Sequence, residues 1–167
     1  VFTYYLKEDI KTLKEKRKER EKALMDKKQS VFYPSIDSLR LEEAQPAPYL
    51  LFTITDESGN TVRRLKAPAK KGLQRITWDF RYDAPDPVSF NEPDPMNFFS
   101  GPDLGAMAFA GNYKVALSKF EDGTFTELVP AQPFKVVSLN AVSLSSADKK
   151  ALENFTQKAA SLVRALG

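Results

Sequence analysis

Residues 75–82, RITWDFRY, place the chain's single Trp in a strict alternation, with Ile76, Trp78, Phe80 and Tyr82 on one side and Arg75, Thr77, Asp79 and Arg81 on the other. A repeat of two is the signature of an extended strand with one apolar face. Helical geometry would scatter the same four apolar groups around a cylinder, so this stretch belongs in a sheet. Its aromatic face has two possible uses, as one wall of a core or as a platform on which a flat ligand stacks. The alternation favours the core, in a strand spanning residues 73–82.

Six further strands follow from the same reasoning. Residues 1–7 (VFTYYLK) put Phe2, Tyr4 and Leu6 on one face. Residues 48–56 and 61–65 flank the turn Glu57, Ser58, Gly59, Asn60, where Gly and Asn tolerate the positive φ of a tight hairpin. Residues 111–119 and 125–128 flank a second turn at Glu121, Asp122 and Gly123, and residues 132–138 close the set. Seven short strands separated by turn signals predict a mainly β chain folded as a sandwich. Eleven Pro against seven Gly agree with many stiff connections.

Two segments break the pattern. Residues 9–28 contain no Gly, Pro or aromatic and read as a charged helix opening near Asp9, with Ile10, Leu13, Leu24 and Met25 apolar and Arg17 and Arg20 interrupting that stripe. Residues 29–47 read as an irregular return with a short helical turn, which makes 9–47 a helical insertion after the first strand. Beyond Asn140 the period changes. Ser145, Ser146, Ala147 and Asp148 resemble a capping box, and Leu152, Phe155, Ala159, Leu162 and Leu166 step by three and four. The expected organisation is a sandwich over 1–140, with a long Pro-rich and Gly-rich loop at 83–110, and an amphipathic helix over 141–167.

Composition removes whole classes of chemistry. The chain has no His and no Cys, hence no imidazole base, no thiolate nucleophile and no His/Cys zinc site. No run approaches the roughly 20 apolar residues of a membrane span. Residues 7–28 hold ten Lys/Arg and six Asp/Glu of the chain's 25 and 22, so the basic excess is confined to one helix and the remainder is nearly neutral. That confinement argues against a nucleic-acid partner. A chain that begins Val, Phe, Thr, Tyr is expected to be a piece of a longer protein.

Particular residues sharpen the sandwich expectation. Residues 54–65 (ITDESGNTVRRL), then Gly72, then Ile76, Thr77, Trp78 and Asp79, and finally Ala110, Gly111, Asn112, Tyr113, Lys114 and Val115 resemble the pattern of Ig-like domains related to that of the flagellar hook-capping protein. They resemble in particular the Ig-like domain that follows the β-propeller in bacterial sortilin-like, BNR-repeat proteins often labelled glycosyl hydrolases. The opening strand Phe2 to Leu6, a charged helical insertion and the series Trp78, Asp79, Phe80, Arg81, Tyr82 are shared with that group. The resemblance covers most of residues 1–139, with Ala110 where Pro is usual, and does not extend through the 83–110 loop. It implies an extracytoplasmic accessory module without catalysis or cofactor. Its partners would be other domains of the parent protein, chiefly the propeller, and any hydrolytic activity would reside there.

Several groups remain as candidate sites, each with a plainer reading beside it. Arg81 and Tyr82, where the Trp strand runs into the loop, and Asn97, Phe98 and Phe99 within it are the candidate ligand contacts, with a glycan as the alternative partner. Asn97, Phe98, Phe99, Met107 and Phe109 read as a plug for one end of the sandwich, since a long loop is usually pinned by its own side chains, with an exposed patch for a partner as the alternative. Asp79, Asp83, Asp86, Glu92 and Asp94 read as solvated loop acids, with calcium or a glycosidase pair as the sharper alternatives; the loop lacks the spacing of a calcium-binding loop, and no metal is expected. The 9–28 helix reads as a salt-bridged, solvent-facing element. Leu152, Phe155, Leu162 and Leu166 are the candidate interface, because an apolar seam must be covered by this domain, by a helix elsewhere in the parent or by a second copy.

Overall fold

A computed structural model describes residues 1–85, 104–139 and 144–166. In chain order the elements are β1 (Phe2–Leu6), α1 (Leu13–Asp26), α2 (Ile36–Ala44), β2 (Tyr49–Thr55), β3 (Thr61–Pro68), β4 (Gly72–Ile76), β5 (Gly111–Glu121), β6 (Thr124–Val136) and α3 (Ser146–Leu166). The strands form two antiparallel sheets, β1-β4 and β3-β2-β5-β6. With 30% of the described residues helical and 36% in strands, the architecture is mixed rather than mainly β.

Among the described residues six strands stand in place of the expected seven, because β6 is continuous through Pro130 and Pro133. Proline lacks the N–H that a ladder uses, so it is tolerated on an edge strand, and β6 ends the order of its sheet. A second correction concerns the Trp strand, which stops at Ile76 instead of reaching Tyr82. The helical share is larger than expected because residues 29–47 hold a true helix, α2, capped by Ser35, whose hydroxyl accepts from the Ser38 N–H.

The chain divides into two compact units. One comprises Val1–Phe52, Leu65–Thr77 and Ala116–Ala131, the other Thr53–Arg64, Trp78–Val115 and Gln132–Gly167. In the first, β1 pairs with β4 from Phe2 opposite Ile76 to Leu6 opposite Gly72. The alternation in β1 turns Phe2 and Tyr4 onto Phe52 of β2, with ring centroids 6.2 and 5.1 Å away, and Tyr4 also donates to Gln74 across the pair at 3.0 Å. A second aromatic group joins Tyr49, Phe120 and Phe125, with Lys66 Nζ 4.0 Å above the Tyr49 ring. Leu50, Phe52, Ala67 and Ala69 are the buried apolar residues of this unit.

The helical insertion also belongs to the first unit. α1 opens on a complete capping box, in which Thr12 Oγ1 accepts from the Glu15 N–H and Glu15 Oε2 from the Thr12 N–H. Asp9, the expected start, instead accepts from the Lys71 N–H at 2.7 Å. The helix closes with Lys28 donating to Met25 O and Gln29 to Leu24 O, Lys28 itself sitting at φ 55; these are the two bonds of a Schellman cap with Lys where Gly is usual. Nothing on α1 is buried. Charge holds it: Arg17 grips both carboxylate oxygens of Glu42 at 2.7 and 3.0 Å and Glu21 at 2.6 Å.

In the second unit Trp78 is 2% exposed and meets Tyr113 at 5.5 Å, Phe134 at 6.2 Å and Phe80 at 5.2 Å. Ile54, Val62 and Tyr113 are also buried in this unit. The β2–β3 turn uses its glycine once: Gly59 takes φ +85, and Asn60 does not enter that region. Asp56 anchors the turn, its carboxylate accepting from both the backbone N–H and the side-chain amide of Asn60.

Candidate functional site

The site grows from the place where the Trp strand ends. Phe80 has φ 59, a conformation that a bulky side chain adopts only when its surroundings require it. Two bonds impose it here. Trp78 Nε1 donates to Arg81 O at 2.9 Å, and Asp79 accepts from the Arg81 N–H at 3.1 Å, folding the chain back over the indole. Phe80 is consequently 44% exposed while Trp78 is buried, so the four-residue apolar row predicted from the alternation is broken after Trp78.

Beyond the kink the chain pairs with the returning segment 105–108. Tyr82 N–H donates to Ala106 O, Ala108 N–H to Phe80 O, and Arg81 bridges Met107. Gly105 makes the approach possible, since a Cβ there would lie 2.1 Å from Tyr82 O. Arg81 reaches the same residue, donating from Nη1 to Gly105 O at 3.0 Å. Arg63 of β3 fastens the other side by donating to Tyr82 O at 3.0 Å and facing Asp83 at 3.4 Å and Asp79 at 4.0 Å.

Tyr82 thus enters a groove of about 690 Å³ floored by β3 and walled by α3. Val62, Ala106, Met107, Phe109, Ala160 and Val163 supply its apolar surface. The phenol is held at both lone-pair and proton positions: Tyr82 donates to Glu153 Oε1 at 3.0 Å and accepts from Gln157 Nε2 at 3.2 Å. Burial, and then the nearby Glu153 carboxylate, push its pKa well above that of an ordinary phenol. Tyr113, which donates to Phe109 O at 2.7 Å, is pushed up to about 12 by burial. Both phenols are therefore neutral hydrogen-bonding groups at physiological pH and not bases or nucleophiles.

No protein-family model, curated protein or solved structure matches this chain. The acids of the groove are engaged, Asp83 with Arg63 and Glu153 with Tyr82, whereas Arg64 and Arg164 stand exposed on its rim. Among the described residues no three acidic groups converge on a common point that would hold a metal ion. Such a surface can bind an apolar group beside an anionic or hydroxylated one.

Of the residues named from sequence, Tyr82 lines this groove, whereas the adjacent Arg81 does not and turns its guanidinium to Gly105 O. Asn97, Phe98 and Phe99 lie outside the described residues, as do Asp86, Glu92 and Asp94. Asp79 and Asp83 both face Arg63 while their side chains stay 45% and 44% exposed. Met107 and Phe109 line the groove. The seam of α3 is open, with Leu152 44%, Phe155 70%, Leu162 61% and Leu166 86% exposed. Sequence reasoning missed Arg63, Gly105, Glu153 and Gln157. The last two were detectable in principle: they lie four apart on one face of a helix, but that face is polar and the apolar seam outranked it.

Proposed function

We propose that this chain is a non-catalytic, Ig-like β-sandwich module, with a charged helical insertion, that supports and joins other parts of a larger extracytoplasmic protein, chiefly a β-propeller. The resemblance of residues 54–65, Trp78, Asp79 and residues 110–115 to the Ig-like group motivates the family. The stacking of Phe2 and Tyr4 from one sheet on Phe52 from the other supports the sandwich. One observation carries the role. α3 attaches through Glu153 and Gln157, on its polar side, and leaves its apolar stripe uncovered, an arrangement that favours a partner over self-closure.

The test is binding of the separately expressed propeller to the wild-type chain and to Leu162→Glu and Phe155→Glu. Each substitution introduces a charge on an exposed surface, so the fold should survive while affinity falls at least about tenfold. Affinity unaffected by both would remove the seam from the interface. A carbohydrate-binding role is the second reading, favoured by the groove beside Tyr82 with its two rim guanidinium groups. Glycan-array binding abolished by Tyr82→Ala, together with no affinity for the propeller, would replace the first reading with the second.

A further inference from the structure

The helical insertion has two ends of different character. At its root, Leu13 N–H donates to Gln45 Oε1 at 2.7 Å, Lys16 pairs with Glu121 at 2.9 Å, and Gln45 bonds Asp122 in the β5–β6 turn. Arg17 and Glu42 then join the first turns of α1 to the last turn of α2, so the two helices run antiparallel as a hairpin. The opposite end, residues 22–36, is the tip.

The tip is apolar and cationic together. Met25 is 62%, Phe32 86%, Tyr33 88% and Ile36 66% exposed. At such values no neighbouring side chain brackets the two rings. Around them Arg40 and Asp37 face each other at 3.8 Å, which leaves Lys22, Lys27 and Lys28 against Asp26 alone. Lys28 holds the left-handed cap position at φ 55, where Gly would be less strained, and so the conformation is maintained with a cation present.

We infer that this tip docks on an anionic lipid surface, with Phe32, Tyr33, Met25 and Ile36 entering the interfacial layer and Lys22, Lys27 and Lys28 meeting the headgroup phosphates. Two features select a lipid surface over a protein. Phe32 edges the groove between α1 and α2 yet keeps most of its ring in solvent, as do Met25, Tyr33 and Ile36, and a fluid layer accepts protruding rings without a complementary shape. Tyr and Phe beside lysines form the combination that settles at a membrane–water boundary, with the aromatic bodies in and the charged ends out. Anionic headgroups supply the opposite charge. The inference concerns the first compact unit and does not depend on the function proposed for α3.

The experiment is co-sedimentation of the whole chain with vesicles of phosphatidylcholine alone and of phosphatidylcholine with phosphatidylglycerol in equal parts. Binding is expected only to the mixed vesicles and should fall at least about tenfold as salt is raised from about 50 to about 500 mM. The pairs Phe32→Ser with Tyr33→Ser and Lys27→Glu with Lys28→Glu should each lower it at least about tenfold, with the circular dichroism spectrum unchanged. Leu162→Glu should bind vesicles as the wild type does, which separates this result from the fate of the α3 proposal. Absence of binding to mixed vesicles at low salt, or binding indifferent to both pairs, overturns the inference. So does capture of the propeller through Phe32 and Tyr33 while vesicles are ignored, which would make the tip a protein contact.

Discussion

Gly105 carries a steric requirement that no neighbouring residue shares. A methyl group added there meets Tyr82 O and Asp83 O at 2.1 and 2.7 Å, both backbone atoms that cannot swing aside. Gly105→Ala should therefore cost about 1–3 kcal/mol in denaturant unfolding and separate residues 80–83 from the returning segment. Lys28 predicts the opposite sign. Its φ of 55 is strained for an L side chain, and Lys28→Gly should stabilise the chain by up to about 1 kcal/mol, partly offset by the freer unfolded state of glycine. Tyr82→Phe removes a donor and an acceptor from a fixed network. A loss of about 1 kcal/mol is expected, measured by the same unfolding curves.

At the scale of elements, what could be read from sequence follows from how local each signal was. β1, the β2–β3 hairpin and the Asp122-Gly123 turn were legible because apolar period and turn chemistry lie within a few residues of each other; Asp122 and Gly123 both take positive φ, as a two-residue hairpin loop demands. The end of the Trp strand was not, because its kink depends on Asp79 and the indole bonding to residue 81, and nothing in RITWDFRY distinguishes that from continued alternation. Pro130 and Pro133 read as breaks in a strand, and β6 runs through both because an edge position, which local sequence does not encode, needs no N–H from them. In α1, Asp9 carries the start signal nearest the strand, but it bonds Lys71, and Thr12 and Glu15, three apart, make the box. Thr12→Ala should lower stability by about 1 kcal/mol, most visibly as lost helical circular dichroism. The seam of α3 was legible as a stripe, and the side of the helix that faces Tyr82 was not.

For the whole molecule, stability has two pH edges. Glu15, Glu42 and Glu121 are held below the usual carboxylate range, Glu15 by the Thr12 N–H, Glu42 by Arg17 and Glu121 by Lys119 and Lys16. A carboxylate with a lowered folded pKa stabilises above its unfolded value, and that contribution is lost as pH falls through the folded one. The melting temperature should thus decline on the acid side of the glutamate range. Tyr82 and Tyr113 act in the reverse sense. With folded pKa values raised, their contribution is complete below about pH 10 and disappears as pH climbs beyond it. Tyrosinate absorbance should show these two phenols ionising late, close to alkaline unfolding.

The burial of Trp78 has a practical consequence at this scale. The chain's only indole lies wholly within the second compact unit, so intrinsic fluorescence is a private spectroscopic channel for that unit. Helical ellipticity, by contrast, is contributed by α1 and α2 in the first and α3 in the second. Superimposable fluorescence and ellipticity transitions would mark one cooperative event. Displaced transitions would give each unit its own midpoint, without a label or an engineered residue.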